Sequence, residues 1–286
     1  MDLQLLEFFV ATADAGSFTA ASERLHYAQS NLSTRIAQME TELGTKLFYR
    51  YRKGISLTSK GHTFYQYAVR ILSLSEEAKM AMLDQDTAQG KLLLGSIEAA
   101  ALTDLPPLFS SYHKKYPEVE ISLRTELNDI FPEQVLDRTL DGAFVTGPVR
   151  HPALVEIPFR KDQLIFVGND SYEQYSAQEL LENAPLITFT DGSSFRRRME
   201  LLLSSHDIAY VKRLTTLNSL GAMIANISAG LGCGYLPRSV VQQYIDRGSM
   251  REYPVGDEFS ELDTVFIYRK DHLQDAAFRY FLEMLQ

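Results

Sequence analysis

Between Ser59 and about Asp86 the chain contains no proline and one glycine, Gly61, while Phe64, Ala68, Ile71, Ser75, Ala78 and Met82 recur at alternating steps of four and three. This is a heptad seam on one continuous helix. At 1.5 Å per residue the helix would be about 40 Å long. So long an element divides the 286 residues into a short segment before it and a larger one after it. The seam either pairs with a second copy, making the chain a dimer, or packs on its own chain. The spacing leaves both readings open.

The two flanks differ in charge. Residues 16–70 carry eight basic side chains (Arg24, Arg35, Lys46, Arg50, Arg52, Lys53, Lys60, Arg70) and three acids (Glu23, Glu40, Glu42), a net of +5 in a chain of net −9. A basic segment on an acidic body is the charge pattern of a DNA-binding module attached to something else.

They also differ in period. Leu3, Leu6, Phe9, Val10 and Ala13 follow helical spacing up to Ala15-Gly16. Ser17 or Thr19 can cap a short second helix, FTAASERL. After a break at His26-Tyr27, Leu32, Ile36, Met39 and Leu43 mark the buried face of a third, stopped by Gly44. Helix, short helix, turn and helix make a helix-turn-helix outline. KLFYRYRKGISLT then suits a small β-hairpin, or wing, turning at Lys53-Gly54. Beyond Gln89-Gly90 short apolar runs (KLLLGSI, VEISLRT, GAFVTG, QLIFVG, APLITF, AYVKRLTT, GCGYLP, TVFIYRK) alternate with helical patterns. The fold class is therefore α/β overall, and the length of this part allows two lobes with a cleft between them.

Several classes are excluded. Cys233 is the one cysteine, so there is no disulfide framework and no cysteine-based zinc site. The six histidines are scattered without metal-ligand spacing. GLGCG follows a helical pattern and precedes a strand, the reverse of a dinucleotide-binding loop. Neither GxSxG nor a Walker motif occurs. An enzyme is not expected, and no cofactor. No stretch approaches the roughly 20 apolar residues of a membrane span. The first residues, with Asp2 and Glu7 and no basic cluster, do not read as a signal peptide. The expected location is the cytoplasm. A stand-alone solute-binding protein or a non-specific DNA binder are the rival classes.

The run from Leu6 to Gly61, with SFTAASERL, QSNLSTRI followed by ELG, then LF and LTSKG, resembles the winged helix-turn-helix of LysR-type transcriptional regulators. LLLGSI, LDGAFVTG and ISAGLGCGYLP extend the resemblance over nearly the whole chain. It implies a winged helix-turn-helix at 1–58, a dimerisation helix at 59–89 and an effector-binding domain at 90–286. Two periplasmic-binding-protein-like lobes follow from it, the first at 90–161 plus 267–286 and the second at 162–266. The implied partners are double-stranded promoter DNA, a small-molecule effector, a homodimer or homotetramer, and RNA polymerase; no membrane is involved.

For the DNA-binding module the resemblance and the helix geometry together point to Gln29, Ser30, Asn31, Ser33, Thr34 and Arg35 on the third helix. Gln can pair with adenine, and Arg35 could read guanine or hold a phosphate. Thr19 would meet phosphate at the second helix, and Arg50, Arg52 and Lys53 on the wing suit backbone or minor-groove contact. Many members carry Ser or Thr at the position of Ala28, so a helix cap worth about 1 kcal/mol is missing.

Carried over by position, the effector would meet Ser96, Ile97, Glu98 and Ala99; Asn128; Val145, Thr146 and Gly147; Gly192, Ser193 and Ser194; and Asn218 and Ser219. Hydroxyls usual around Ala99 and Ala100 are absent, and Glu98 places a carboxylate there instead. Facing the cleft it would favour an amine or hydroxyl on the ligand; facing solvent it would simply be a favourable charge near a helix start. Of Arg196, Arg197 and Arg198, one or two at most can face the cleft.

Overall fold

The computed structural model describes the chain except Met1, Lys53, 81–87, Gly192, 209–210, Lys212, Asp257, 273–274 and Gln286, and except the side chains of Glu76, Glu77 and Met80. It divides into two compact units, one covering Met1–Gln85 and the other almost all the rest.

In the first unit, α1 (Leu3–Ala15) starts where the Leu5 N–H donates to Asp2 Oδ1 at 2.7 Å and ends at Gly16, whose φ of +60° suits a residue without Cβ. Then come α2 (Phe18–Arg24) and α3 (Gln29–Glu42), β1 (Phe48–Tyr51) and β2 (Gly54–Leu57) in an antiparallel hairpin, and α4 (Ser59–Met80). Phe9, Ala21, Leu32, Ile36 and Met39 are fully buried, and Phe9 packs its ring 5.2 Å from Phe48 and 5.0 Å from Phe64.

The seam of α4 divides between its two readings. Its first part packs on its own chain: Ala68 is fully buried, Phe64 and Leu72 lean on the same core, and the Tyr65 hydroxyl donates to Asp14 at 2.6 Å. Further along, Ile71 is 40% exposed, Leu74 52%, and Ala78 lies open. Met82 lies outside the described residues, while Ala88 and Gln89, expected to end the helix, are described outside any helix.

The LTSKG motif acquires a physical meaning here. The Thr58 hydroxyl donates to the Lys46 carbonyl at 2.8 Å and accepts from the Gly61 N–H at 2.9 Å, closing the start of α4. A Cβ on Gly61 would come within 2.1 Å of the Leu47 carbonyl oxygen, so this contact requires glycine.

The second unit runs β3 (Gly90–Ser96), α5 (Glu98–Thr103), α6 (Leu105–Lys115), β4 (Val119–Thr125), α7 (Phe131–Leu136), β5 (Gly142–Thr146), β6 (Leu154–Gly168), α8 (Ala177–Asn183), β7 (Leu186–Phe189), α9 (Ser194–Ser205), β8 (Leu214–Leu217), α10 (Leu220–Ser228), β9 (Gly234–Pro237), α11 (Arg238–Asp246), β10 (Arg251–Tyr253), β11 (Glu261–Arg269) and α12 (Ala276–Glu283). Seven strands form one sheet, ordered β10-β6-β11-β5-β3-β4 with β9 also on β6, while β7 and β8 pair in parallel. The early part of β6 pairs with β11 from Leu154 onward, and its late part with β9 at Leu164–Val167. That one strand therefore serves two hydrophobic cores. One gathers Leu92, Phe131, Phe144, Phe266 and Phe281; the other Phe166, Leu180, Ile187, Met223 and Tyr235.

One expectation about the lobes needs correction, and the structure extends others. The lobe boundary expected at 266/267 falls earlier, because Val265 and Phe266 belong to the first core. QLIFVG is the end of a 15-residue strand. The helices α5 and α11 and the edge strand β10, six, nine and three residues long, were not anticipated. The small residues of α5 fit where the hydroxyls are missing: Ala99 is buried in the second core and Ala100 in the first, so both positions pack among apolar side chains.

Candidate functional site

On α3, burial of Leu32, Ile36 and Met39 turns Gln29, Ser30, Asn31 and Thr34 to the exposed side, with Ser33 and Arg35 at its margin. Ala28 precedes the helix in extended backbone, and no side chain caps it, as its methyl group dictates. The Thr34 hydroxyl donates back to the Ser30 carbonyl at 2.8 Å. Arg35 lies 3.1 Å from the Asp2 carboxylate, which the Leu5 N–H first and Arg35 next hold below the usual carboxylate range. Arg50 on the wing donates to the Ser33 hydroxyl at 3.4 Å and stacks its guanidinium 4.9 Å from the Phe18 ring centre. Thr19 in α2 and Arg52 beyond β1 are exposed. Lys53 lies outside the described residues. These side chains thus share one surface region of one unit.

Glu40, unremarked as a site residue from sequence, holds that region together. Its side chain is 1% exposed and accepts from Lys46 Nζ at 2.8 Å and from the Leu47 and Phe48 N–H groups at 2.9 and 3.2 Å. Burial pushes this carboxyl up, but Lys46 and the two amides outweigh burial and hold it below its ordinary range. The far end of α3 is thereby pinned to the start of the wing.

In the second unit a cleft of about 470 Å³ is lined by Ile97, Glu98, Thr125, Glu126, Leu127, Asn128, Phe189, Thr190, Ser193, Ser194, Phe195, Asn218 and Ser219. Seven of the carried-over effector positions therefore converge: Ile97, Glu98, Asn128, Ser193, Ser194, Asn218 and Ser219. Five do not line it. Ser96 is fully buried with its hydroxyl on the Ile97 carbonyl, Ala99 belongs to the second core, and Val145 lies in the first. Thr146 is 8% exposed and meets the cleft indirectly, its N–H donating to Asn128 Oδ1 at 2.6 Å; Gly147 packs against Val265. Gly192 lies outside the described residues. Thr125, Glu126, Leu127, Phe189, Thr190 and Phe195 were missed. They follow or end β4 and β7 or begin α9, and the rule that ligands gather outside the carboxyl ends of strands could have found them.

Glu98 turns to the cleft. Its carboxylate accepts from the Leu220 N–H at 2.8 Å, the Ser219 hydroxyl at 3.2 Å and the Gly221 N–H at 3.4 Å. None of the three arginines lines the cleft. Arg196 pairs with Asp191 and Glu200, Arg198 donates to the Glu261 carbonyl, and Arg197 is exposed. Cys233 is buried, and burial pushes its thiol up to about 12, which leaves it an inert core residue. No group of three or more potential metal ligands occurs among the described residues, and no described helix is long and apolar enough to cross a membrane.

A winged helix-turn-helix followed by a two-lobed α/β unit with a cleft of mixed polar and apolar lining defines a DNA-binding regulator carrying a small-molecule domain. The comparisons agree. Residues 3–62 match the family described as bacterial regulatory helix-turn-helix protein, lysR family, and residues 85–286 match the LysR substrate binding domain. The chain is 36% identical to the HTH-type transcriptional regulator GltR of Bacillus subtilis over 99% of its own length and 95% of that protein. It is 34% identical to CzcR of Bacillus thuringiensis over 100% and 97%. In fold it resembles full-length CbnR, solved in complex with its target DNA, with a TM-score of 0.71 at 23% identity, covering 100% of this chain and 99% of that one. The chain belongs to the LysR family of transcriptional regulators. It is a DNA-binding regulator with an effector-binding domain, not an enzyme.

Proposed function

We propose that the open face of α3, with the wing, reads promoter DNA, and that the cleft of the second unit takes the effector that controls it. Gln29, Ser30, Asn31, Ser33, Thr34 and Arg35 enter the major groove, with Thr19, Arg50, Arg52 and Lys53 on phosphates or the minor groove. The observation that carries this reading is the alternation on α3: three fully buried apolar residues on one side, a run of short polar side chains on the other, and Arg50 braced on Ser33 beside them. Ile97, Glu98, Asn128, Ser193, Ser194, Asn218 and Ser219 form the effector contacts. The open residues of α4, Ile71, Leu74 and Ala78, pair with a second copy, so that a dimer or tetramer contacts neighbouring half-sites. The protein works in the cytoplasm, with RNA polymerase as the partner through which promoter output changes.

The test is fluorescence anisotropy with the DNA upstream of its own gene beside a scrambled duplex at two salt concentrations. A preference of about a thousandfold or more supports the reading. Equal, steeply salt-dependent binding to both would leave only electrostatic contact and overturn it.

A further inference from the structure

Effector binding leaves unexplained why a glutamate stands where this cleft could have offered a free helix end. Glu98 is the first residue of α5, and every partner of its carboxylate given above belongs to Ser219, Leu220 or Gly221, at the start of the nine-residue α10. A helix start concentrates free N–H donors and the positive end of the helix dipole, which together attract an anion. Here the anion is covalently part of the chain. It is also firmly presented, because α5 sets Ala99 into the second core and Ala100 into the first. A tethered group of this kind competes at an effective concentration in the millimolar range, set by the tether and not by the solution. Glu126 is the second charge on the cleft, and neither lysine nor arginine occurs among its described lining residues.

We propose, on the basis of the effector-cleft reading, that Glu98 is an internal ligand of this cleft. Its carboxylate fills the anion seat of α10, latches the first lobe to the second, and selects effectors bearing an ammonium or neutral hydroxyl group over those bearing a carboxylate or phosphate. An anionic effector would have to expel Glu98 from three donors and then lie beside two carboxylates without a compensating cation. An ammonium instead meets Glu98 and Glu126 with the latch intact, since two carboxylate oxygens offer more acceptor sites than the three donors use. Its apolar portion would rest on Phe189, Phe195 and Ile97.

The experiment titrates full-length wild type, Glu98→Ala and Glu98→Gln with acetate and, separately, propylammonium at matched ionic strength, reading heats of binding. The Ala variant vacates the seat and should bind acetate at least about tenfold more tightly than wild type. The Gln variant, which keeps an acceptor for the Leu220 N–H but no charge, should fall between them. Propylammonium should show the opposite order, weakening by about tenfold or more in the Ala variant. Acetate affinity that is unchanged in both variants overturns the proposal, as does propylammonium binding indifferent to residue 98. Should the Ala variant fail to fold, the near-isosteric Gln variant decides alone. Operator binding by the same three proteins separates the failures. Intact DNA preference with unmoved anion affinity refutes the latch only, whereas intact DNA preference with neither probe binding any of the three proteins refutes the effector-cleft reading beneath it.

Discussion

The start of α3 and the start of α10 lie at the two candidate sites of this regulator, and they are completed in opposite ways. At α3 the preceding residue is Ala28, and no side chain caps the helix start. At α10 Ser219 accepts from the Ala222 N–H at 3.4 Å, and Glu98 covers Leu220 and Gly221. An uncapped end costs about 1 kcal/mol of helix stability, yet it keeps its amides for an external anion, and DNA supplies many. A filled end is stable and discriminating. Under the proposed DNA reading the same backbone device would face an external polyanion in one unit, whereas in the other it holds an internal carboxylate.

The open end of α3 is tolerable because its other end is pinned, and that contrast can be broken. Glu40→Gln keeps the shape but loses the charge that serves Lys46 and two buried amides. It should cost about 3 kcal/mol, read by urea unfolding. Because the folded-state carboxyl lies below its ordinary 4.5, its contribution is fully present above that value and is lost as pH falls through the folded pKa. The gap between wild type and Glu40→Gln should therefore hold from pH 7 to 5 and shrink below about 4.5. A gap that stayed constant to pH 3 would remove charge as the cause.

Next in size, Arg35→Ala should weaken operator binding by about 2 kcal/mol at fixed salt. It should hardly move the unfolding midpoint, since the exposed pair with Asp2 contributes little. Equal operator affinity in this variant would take the recognition role away from α3. The smallest and most direct test is reciprocal capping. Ala28→Ser should add about 1 kcal/mol, and Ser219→Ala should remove about as much. If thermal unfolding shows neither change, the two helix starts do not differ as described.

The DNA-binding unit was largely legible from sequence because its signals are local. Leu32, Ile36 and Met39 recur at helical spacing, Gly16 and Gly44 mark stops, and Gly54 opens the second strand of the hairpin. The second unit was legible in kind but less so in detail. Seven of its expected contacts meet in the cleft, but Val145 and Ser96 are buried, because a strand residue's facing is decided by the layers packed on it. Glu126 and Thr190 directly follow the runs VEISLRT and APLITF, so the strand-end rule reaches them, but that these two strand ends line one cleft is decided by the fold.

Sequence by itself determined most of the elements, the basic module, the α/β class and the family resemblance, since all of these rest on periodicity and residue chemistry within a few turns of chain. Tertiary structure alone decided that α4 covers Ala68 but leaves Ile71 open, that Glu40 joins α3 to the wing, and that Glu98 faces the cleft and not solvent. Each of those depends on a partner far along the chain, such as Leu220, more than a hundred residues from Glu98. A carboxylate's role follows from which donors surround it, and only the folded chain brings those donors within reach.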